Sequence, residues 1–267
     1  MKTGNLVIIK LGGSVLTRKK QNKKKIERKN LKRLSGEIAS AMKKDGFKLI
    51  VVHGVGSFGH VLSEKYSLAG GFRNKEQIGA ISDIGCDLAK LDLEISEELR
   101  NCGVSTISLR PSSLFYSDSG KLKLQNLKIV SKVLELGFVP MLHGDIVFDA
   151  QKGFGILSGD SIILHLAKYF KPNRIILGTD VDGVFDCDPN LHKNAKLIRS
   201  VNSGNLENID LSGSTAIDVT GGMKGKILEL LKLPKSVSYS QIVNISKPGV
   251  LEKALLGNTH LGTIIKP

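Results

Sequence analysis

Short apolar runs alternate with longer amphipathic stretches along most of this chain. The longer stretches repeat apolar residues at helical spacing, as at Leu31, Leu34 and Ile38. This pattern predicts strands at residues 6–9, 48–52, 104–109, 138–142, 174–178, 241–245 and 263–265, helices at residues 26–44, 75–100, 160–170 and 223–232, and a hairpin over residues 145–157. Strands that are apolar throughout and separated by helices are typical of an α/β protein with a mostly parallel sheet covered on both faces.

The composition suits a globular protein of one large domain or two small ones. The chain has 267 residues, of which 41% are hydrophobic and 24% charged. No apolar run approaches the roughly 18 residues of a transmembrane helix, and the N-terminus lacks the features of a signal peptide. Cys86, Cys102 and Cys187 are odd in number and form no metal-spaced pair. We therefore expect a cytoplasmic protein with reduced thiols.

The positive charge is concentrated in one segment. The net charge is +14, and residues 18–33 contain ten basic residues and a single acid, Glu27. Such a segment is typical of a solvated loop and helix face. A nucleic-acid patch is the alternative, but aromatic residues make up 5% of the chain and no RNA-binding aromatic motif is present. Small phosphorylated ligands suit the rest of the chain better.

Two glycine-rich segments follow the first two predicted strands. Lys10-Leu11-Gly12-Gly13-Ser14 places adjacent glycines where backbone N–H groups can converge on phosphate, although Gly-Gly after a strand is a weak signal by itself. Residues 53–60 contain G-x-G-x-x-G, but no acid follows at the distance that the dinucleotide fingerprint requires. His60 and Val61 also stand where a Walker A motif needs lysine and Ser/Thr. A glycine loop that opens a helix still favours an anion, and His60 is either a contact of that anion or a surface or capping histidine.

Acids and lysines mark two further segments in the second half of the chain. Asp180 and Asp182 follow a predicted strand, where they could serve a nucleotide or metal, or form an Asx-type turn. Residues 218–226 place Lys224 and Lys226 at the start of a helix. Lysine there opposes the helix dipole, which a nearby anion would make tolerable.

Taken together, these segments resemble the amino acid kinase superfamily and, within it, the isopentenyl phosphate kinases. The Gly-Ser-Phe-Gly-His piece, which ends at His60, is the more specific part of the match. The resemblance runs through nearly the whole chain and is carried by residues 10–14 and 53–60, Arg110-Pro111-Ser112-Ser113, His143-Gly144-Asp145, Ser158-Gly159-Asp160, residues 179–184 and residues 218–224.

The resemblance implies an αβα sandwich, the amino acid kinase fold, as one continuous domain. An acceptor-binding half would span residues 1–170 and an ATP-binding half residues 171–267. The implied reaction transfers phosphate from ATP to isopentenyl phosphate, giving isopentenyl diphosphate for isoprenoid biosynthesis (the alternative mevalonate pathway). A homodimer is implied, with Mg²⁺ carried on the ATP phosphates and no protein metal site. Neither a membrane nor a nucleic acid is an expected partner.

The resemblance also implies the roles of individual residues. Lys10, Lys19, His60 and Asp160 would be catalytic, with Asp160 orienting Lys10 and His60 binding the acceptor phosphate. The remaining implied acceptor contacts are Val55, Gly59 and Gly159. The implied ATP contacts are Lys10, Gly12, Gly13, Ser14, Gly56, Asp180, Gly222, Lys224 and Lys226.

Two positions depart from the family pattern, and two other functions remain open. Val55 stands where relatives usually have Gly or Ala, and Arg18 stands where many have an acid. A kinase of another small phosphate or phosphonate, such as fosfomycin, would use the same loop histidine. A non-catalytic protein that binds nucleotides or nucleic acid through the basic segment is the alternative from another class.

Overall fold

The fold is described from a computed structural model that covers residues 5–18, 24–187, 189, 191–192, 194–202, 204, 206 and 222–266. Its strands are β1 (Leu6–Leu11), β2 (Lys48–His53), β3 (Thr106–Ser108), β4 (Phe115–Asp118), β5 (Lys121–Gln125), β6 (Val139–His143), β7 (Asp145–Asp149), β8 (Gly153–Leu157), β9 (Arg174–Thr179), β10 (Val184–Phe185), β11 (Leu197–Ile198), β12 (Ser200–Val201), β13 (Tyr239–Asn244) and β14 (Thr263–Ile265). Its helices are α1 (Gly13–Leu16), α2 (Arg28–Asp45), α3 (Gly56–Lys65), α4 (Glu76–Asn101), α5 (Pro111–Leu114), α6 (Lys128–Glu135), α7 (Gly159–Phe170), α8 (Gly222–Leu231) and α9 (Val250–Leu255).

An eight-stranded sheet forms the centre, in the order β12-β14-β13-β9-β1-β2-β6-β3. The neighbours run parallel except β13 and β14, which pair antiparallel. This confirms the predicted α/β class and mostly parallel sheet. β1 pairs with both β2 and β9, so the sheet continues across the predicted boundary near residue 170.

Both faces of the sheet are buried against helices, which explains why its inner strands are apolar at successive positions. Along β1, Val7 and Ile9 pack with the apolar faces of α2, α4 and α9, whereas Leu6 and Ile8 pack with those of α6, α7 and α8. Successive strand residues point to opposite faces, so a strand covered on both sides needs apolar residues at every position. The predicted αβα sandwich is confirmed.

A second, four-stranded sheet in the order β5-β4-β7-β8 lies beside the main one. The hairpin predicted over residues 145–157 is confirmed as β7 and β8, paired from Asp145–Leu157 to Asp149–Gly153. The hairpin of β4 and β5, and helices α6 and α9, were not predicted. β3 is shorter than the predicted run at 104–109. Within the described ranges, no helix is both long and apolar enough to cross a membrane.

Candidate active site

The two glycine-rich loops that follow β1 and β2 touch each other. A Cβ atom added to Gly13 would lie 2.5 Å from the amide nitrogen of Gly56, and one added to Gly54 would overlap the nitrogen of Gly13. The Gly54 N–H bonds to Leu11 O at 2.8 Å, which holds the start of the second loop against the end of β1. Only glycine allows two backbone segments to approach this closely.

Thr17 ties these loops together, and sequence reasoning did not identify it. Its Oγ1 donates to Gly13 O at 2.8 Å and accepts from the Ser57 N–H at 3.1 Å. Gly56 adopts a φ of 49°, and a Cβ there would collide with the Thr17 hydroxyl. A threonine four residues after a glycine gives no sequence signal for such a role, because the contact exists only once the two loops are adjacent.

The N-terminus of α7 adds Lys10, Gly159 and Asp160 to the same place. Lys10 Nζ lies 2.6 Å from Asp160 Oδ1, and the two side chains are 12% and 7% exposed. A Cβ on Gly159 would lie 3.3 Å from Lys10 Cε. Lys10 belongs to β1 and Asp160 is 150 residues later, so the tertiary fold creates this ion pair.

Val55 and Gly144 complete a ring of contacts around the site. A Cβ on Gly144 would lie 3.4 Å from Val55 Cγ1 and 3.4 Å from the Gly159 nitrogen. The contacts therefore form a closed ring. Lys10 leads into the first glycine loop, which touches the second; Val55 of the second loop touches Gly144, Gly144 touches Gly159, and Gly159 touches Lys10. Val55 also packs closely over Gly59, where an added Cβ would lie 2.7 Å from Val55 Cγ2.

Backbone N–H groups without protein acceptors cluster in this ring. Within the described part of the chain, no acceptor pairs with the amides of Gly13, Ser14, Gly56, Gly159 or Asp160, which begin α1, α3 and α7. The first N–H groups of a helix have no intrahelical partner, and the helix dipole favours negative charge beside them. With Lys10 close by, the arrangement fits phosphate groups.

His60 lies on α3 one helical turn after Gly56, so the two residues share a face of that helix. Its side chain is partly buried and has an interaction partner within the chain. Contact between His60 and an acceptor phosphate remains a prediction.

On the predicted ATP side, Asp180 is exposed directly after β9. β9 is tied to the first glycine loop because the Gly12 N–H bonds to Gly178 O at 3.0 Å. The neighbouring Asp182 accepts from Lys247 Nζ and, at 2.9 Å, from Asn244 Nδ2. The Lys247 hydrogen bond holds the pKa of Asp182 below its usual value. The Asp182 carboxylate is thus hydrogen-bonded to other side chains of the protein, whereas Asp180 faces solvent.

Some predicted site residues lie outside the described part of the chain. They are Lys19, the side chain of Lys224, and the segment 218–221 that precedes α8. Gly222 begins α8, and Lys226, one turn further along the helix, is partly buried and has an interaction partner. In the described ranges, no group of three or more His, Cys, Asp or Glu side chains is placed to hold a metal ion.

The basic segment partly pairs with acids of α4. The Arg18 N–H bonds to Lys25 O, and Lys24 forms an ion pair with Asp87. Arg28 Nη2 lies 2.7 Å from Glu94 Oε1. Lys25 is exposed. Some side chains of this segment are therefore solvated, and others form ion pairs with α4.

The fold and this cluster of glycine loops define a class of phosphotransferase. The chain belongs to the amino acid kinase family, whose sequence model matches residues 5–244.

Within that family, the chain is similar to isopentenyl phosphate kinases over nearly its whole length. It is 38% identical to the isopentenyl phosphate kinase of Methanothermobacter thermautotrophicus, over 97% of this chain and 98% of that protein. It is 35% identical to the isopentenyl phosphate kinase of Methanocaldococcus jannaschii, over 96% of each. A crystal structure of an isopentenyl phosphate kinase matches with a TM-score of 0.85 and 34% identity, over 98% of this chain and 100% of that one.

Proposed function

We propose that this chain transfers the γ-phosphoryl group of ATP to isopentenyl phosphate, giving ADP and isopentenyl diphosphate. The observation that carries the proposal is the ring of glycine-loop contacts, in which helix N-termini and Lys10 converge on one place. Full-length similarity to isopentenyl phosphate kinases supports the same acceptor.

Electrostatic repulsion is the main physical obstacle to this reaction. Two unit charges about 4 Å apart at an effective dielectric of about 20 repel by about 4 kcal/mol, and both substrates carry several charges. An oxygen of isopentenyl phosphate attacks the γ-phosphorus while the bond to the bridging oxygen of ADP breaks. The attacking oxygen is already ionised, so no general base is needed, and positioning with charge stabilisation dominates catalysis.

We assign the transferring phosphoryl group to the amide of Gly13 and to Lys10. The Gly12 N–H, which was expected to contribute, donates to Gly178 O instead. Lys10 Nζ has three hydrogens, and its bond to Asp160 holds the ammonium group in place. Lys19 would neutralise charge as the transition state forms. His60, with the backbone of Val55, Gly59 and Gly159, would hold the acceptor phosphate, His60 best as imidazolium. The backbone of Gly56 would contact ATP.

The ATP side is proposed to comprise Ser14, Asp180, Gly222, Lys224 and Lys226. Mg²⁺ would bind with the ATP phosphates and neutralise part of their charge. The acceptor half would then span residues 1–170 and the ATP half residues 171–267, which meet where β1 pairs with β9.

A cytoplasmic homodimer is part of the proposal. No disulfide joins Cys86, Cys102 and Cys187 in the described part of the chain, as expected in a reducing compartment. The outer face of α4 carries an uncharged stripe, from Ile78 through Ser82, Cys86 and Ala89 to Leu93. Ile78 and Leu93 are 57% and 58% exposed. A second copy that packs along this stripe would bury them.

A panel of acceptors tests the proposed function directly. We expect ADP release with isopentenyl phosphate, and little with fosfomycin, glutamate, N-acetylglutamate or uridine monophosphate at equal concentration. Preferred turnover of any other acceptor would replace the substrate assignment. If no acceptor supports ADP release while a polyanion binds through the basic segment, the chain is not a kinase.

A further inference from the structure

A cluster of polar side chains lies beneath the second glycine loop and has no part in the mechanism above. His53 is the last residue of β2, is 0% exposed and directly precedes Gly54. Asp92 reaches it from α4, and both Asp92 and His143 are buried. His143 ends β6 and pairs in register with His53.

Hydrogen bonds connect this cluster from the edge of the sheet to the loop. His53 Nε2 lies 3.0 Å from Asp92 Oδ1, and the other oxygen of Asp92 accepts from the Ser108 hydroxyl on β3. On its opposite side, His53 Nδ1 lies 3.3 Å from the carbonyl oxygen of Gly54. The chain therefore runs from Ser108 through Asp92 and His53 to Gly54.

The contacts of His53 determine how many protons its ring carries. A carboxylate and a carbonyl oxygen are both acceptors, so each contact is a hydrogen bond only if both ring nitrogens bear hydrogen. Burial alone would raise the pKa of Asp92, but hydrogen bonds from His53 and Ser108 hold it below the usual value. Asp92 is thus a carboxylate that accepts from His53 Nε2.

His143 fits the same charge arrangement. Burial and the neighbouring His53 lower the pKa of His143, despite opposing effects from the Gly144 carbonyl, Asp145 and Asp92. The two rings lie 5.2 Å apart between centroids. The neutral form of His143 is therefore favoured, and its Nδ1 still donates to Gly144 O at 2.9 Å.

The bond to Gly54 O orients the next peptide group. In a planar trans peptide, the carbonyl and the following N–H point in opposite directions. When the Gly54 carbonyl is held against the buried His53 ring, the Val55 N–H points away from that ring. Among the described residues, no acceptor pairs with the Val55 N–H, so it is available to a ligand in the loop.

We propose that the His53–Asp92 pair is a positioning device that fixes the Gly54–Val55 peptide so that its N–H faces the acceptor phosphate. This inference rests on the proposed function for the identity of the acceptor. His53 does not touch the substrate; it acts through the loop.

Two substitutions at His53 separate its two contacts. Asn places an amide near the position of Nδ1 and can keep the bond to Gly54, whereas Gln reaches toward the position of Nε2 and can keep the bond to Asp92. By titration calorimetry with isopentenyl phosphate, we expect His53→Gln to weaken binding about 10-fold to 100-fold. His53→Asn should weaken binding less, by about 3-fold to 10-fold, since it retains the Gly54 bond and loses only the support of Asp92. Equal losses in both variants, or a loss in neither, would overturn the proposal.

Ser96→Ala is the matched control. Ser96 Oγ bonds to Thr106 Oγ1 at 2.6 Å, which joins the same helix and strand one turn beyond Asp92. We expect this variant to bind isopentenyl phosphate as the wild type does. If Ser96→Ala weakens binding as much as His53→Gln, general loosening of α4 explains both effects and the proposal is wrong.

Nitrogen-15 NMR of the histidine rings decides the matter without any substrate. We expect His53 Nδ1 to carry a proton in the wild type, because the Gly54 carbonyl oxygen can only accept. A wild-type His53 ring without hydrogen on Nδ1 would refute the proposal even if isopentenyl phosphate is a good substrate. Conversely, a His53 ring with hydrogen on Nδ1 in a protein that does not bind isopentenyl phosphate would refute the substrate assignment but not the positioning of the Gly54–Val55 peptide.

Discussion

Lys10 and Asp160 illustrate how single residues are prepared for an anionic ligand. An unpaired buried ammonium group would be costly, and the Asp160 carboxylate compensates it at 2.6 Å. Within the described residues, Lys10 Nζ donates to Asp160, and a phosphate could accept its remaining hydrogens. The sequence indicated both residues through their motifs, but the ion pair between positions 150 residues apart is visible only in the fold.

The role assigned to His60 is tested by His60→Ala. We expect kcat/KM for isopentenyl phosphate to fall about 10-fold to 100-fold, because a charge-assisted hydrogen bond contributes about 1.5–3 kcal/mol. The KM for ATP should remain nearly unchanged. Steady-state kinetics with each substrate varied in turn measures both values.

His165→Ala is the control, since this histidine lies on α7 beside Phe115. It should leave both kinetic constants near those of the wild type. Unchanged acceptor kinetics in His60→Ala would remove His60 from the site.

At the scale of elements, the glycine loops depend on close backbone contact. In Gly13→Ala, the new Cβ would lie 2.5 Å from the Gly56 nitrogen, and a backbone atom cannot move aside as a flexible side chain can. We expect kcat/KM to fall by about 100-fold, which is the effect of displacing catalytic groups by about 1 Å.

Gly36→Ala provides the matched comparison, because an added Cβ at this exposed position of α2 meets nothing within 4 Å. It should retain activity and stabilise the fold by about 0.5–1 kcal/mol. Activity assays and thermal unfolding of both variants provide the comparison. Normal activity in Gly13→Ala would show that the loop contact is dispensable.

Asp149 joins two hairpins of the smaller sheet. Its carboxylate accepts from the N–H groups of Gly120 at 2.7 Å, Lys152 at 2.8 Å and Gln151 at 3.0 Å, and from the Ser117 hydroxyl at 2.8 Å. Burial alone would raise its pKa, but these bonds hold the pKa well below the ordinary value of 3.8. Stability from this group is therefore complete above about pH 4 and is lost as the pH falls through 3.8 toward the folded value.

Asp149→Asn is expected to lower the urea midpoint at pH 7, and this difference should shrink by pH 3. Asp118→Asn, in the same pair of hairpins, removes a carboxylate that accepts from the Ser119 hydroxyl. It should change the midpoint little at either pH. A constant difference between Asp149→Asn and the wild type at all pH values would contradict the linkage.

Several elements escaped prediction because distant contacts define them. β4 contains Phe115, Ser117 and Asp118, which lack the apolar run of a core strand, and it joins the smaller sheet through the pairing of Ser117 with Asp149. By contrast, β1 and β9 were predicted because burial on both faces leaves a continuous apolar run.

For the whole molecule, the uncharged stripe on α4 makes the proposed dimer testable. Ala89→Glu places a charge at its middle, so we expect the variant to be a monomer by light scattering and the wild type to have twice the mass of one chain. Ala69→Glu, at an exposed position outside α4, should remain a dimer. Dimers of Ala89→Glu at micromolar concentration would place the interface elsewhere.

The sequence by itself determined the alternation of strands and helices, the burial of the sheet on both faces, and the family, because these follow from local periodicity and contiguous motifs. The tertiary structure decided which residues meet. The contact of Gly13 with Gly56, the Thr17 bridge, the Lys10–Asp160 pair and the chain from Ser108 to Gly54 all join segments far apart in sequence. The local sequence pattern does not indicate which distant segments come into contact. These contacts arise from the strand order, which places β1 between β2 and β9.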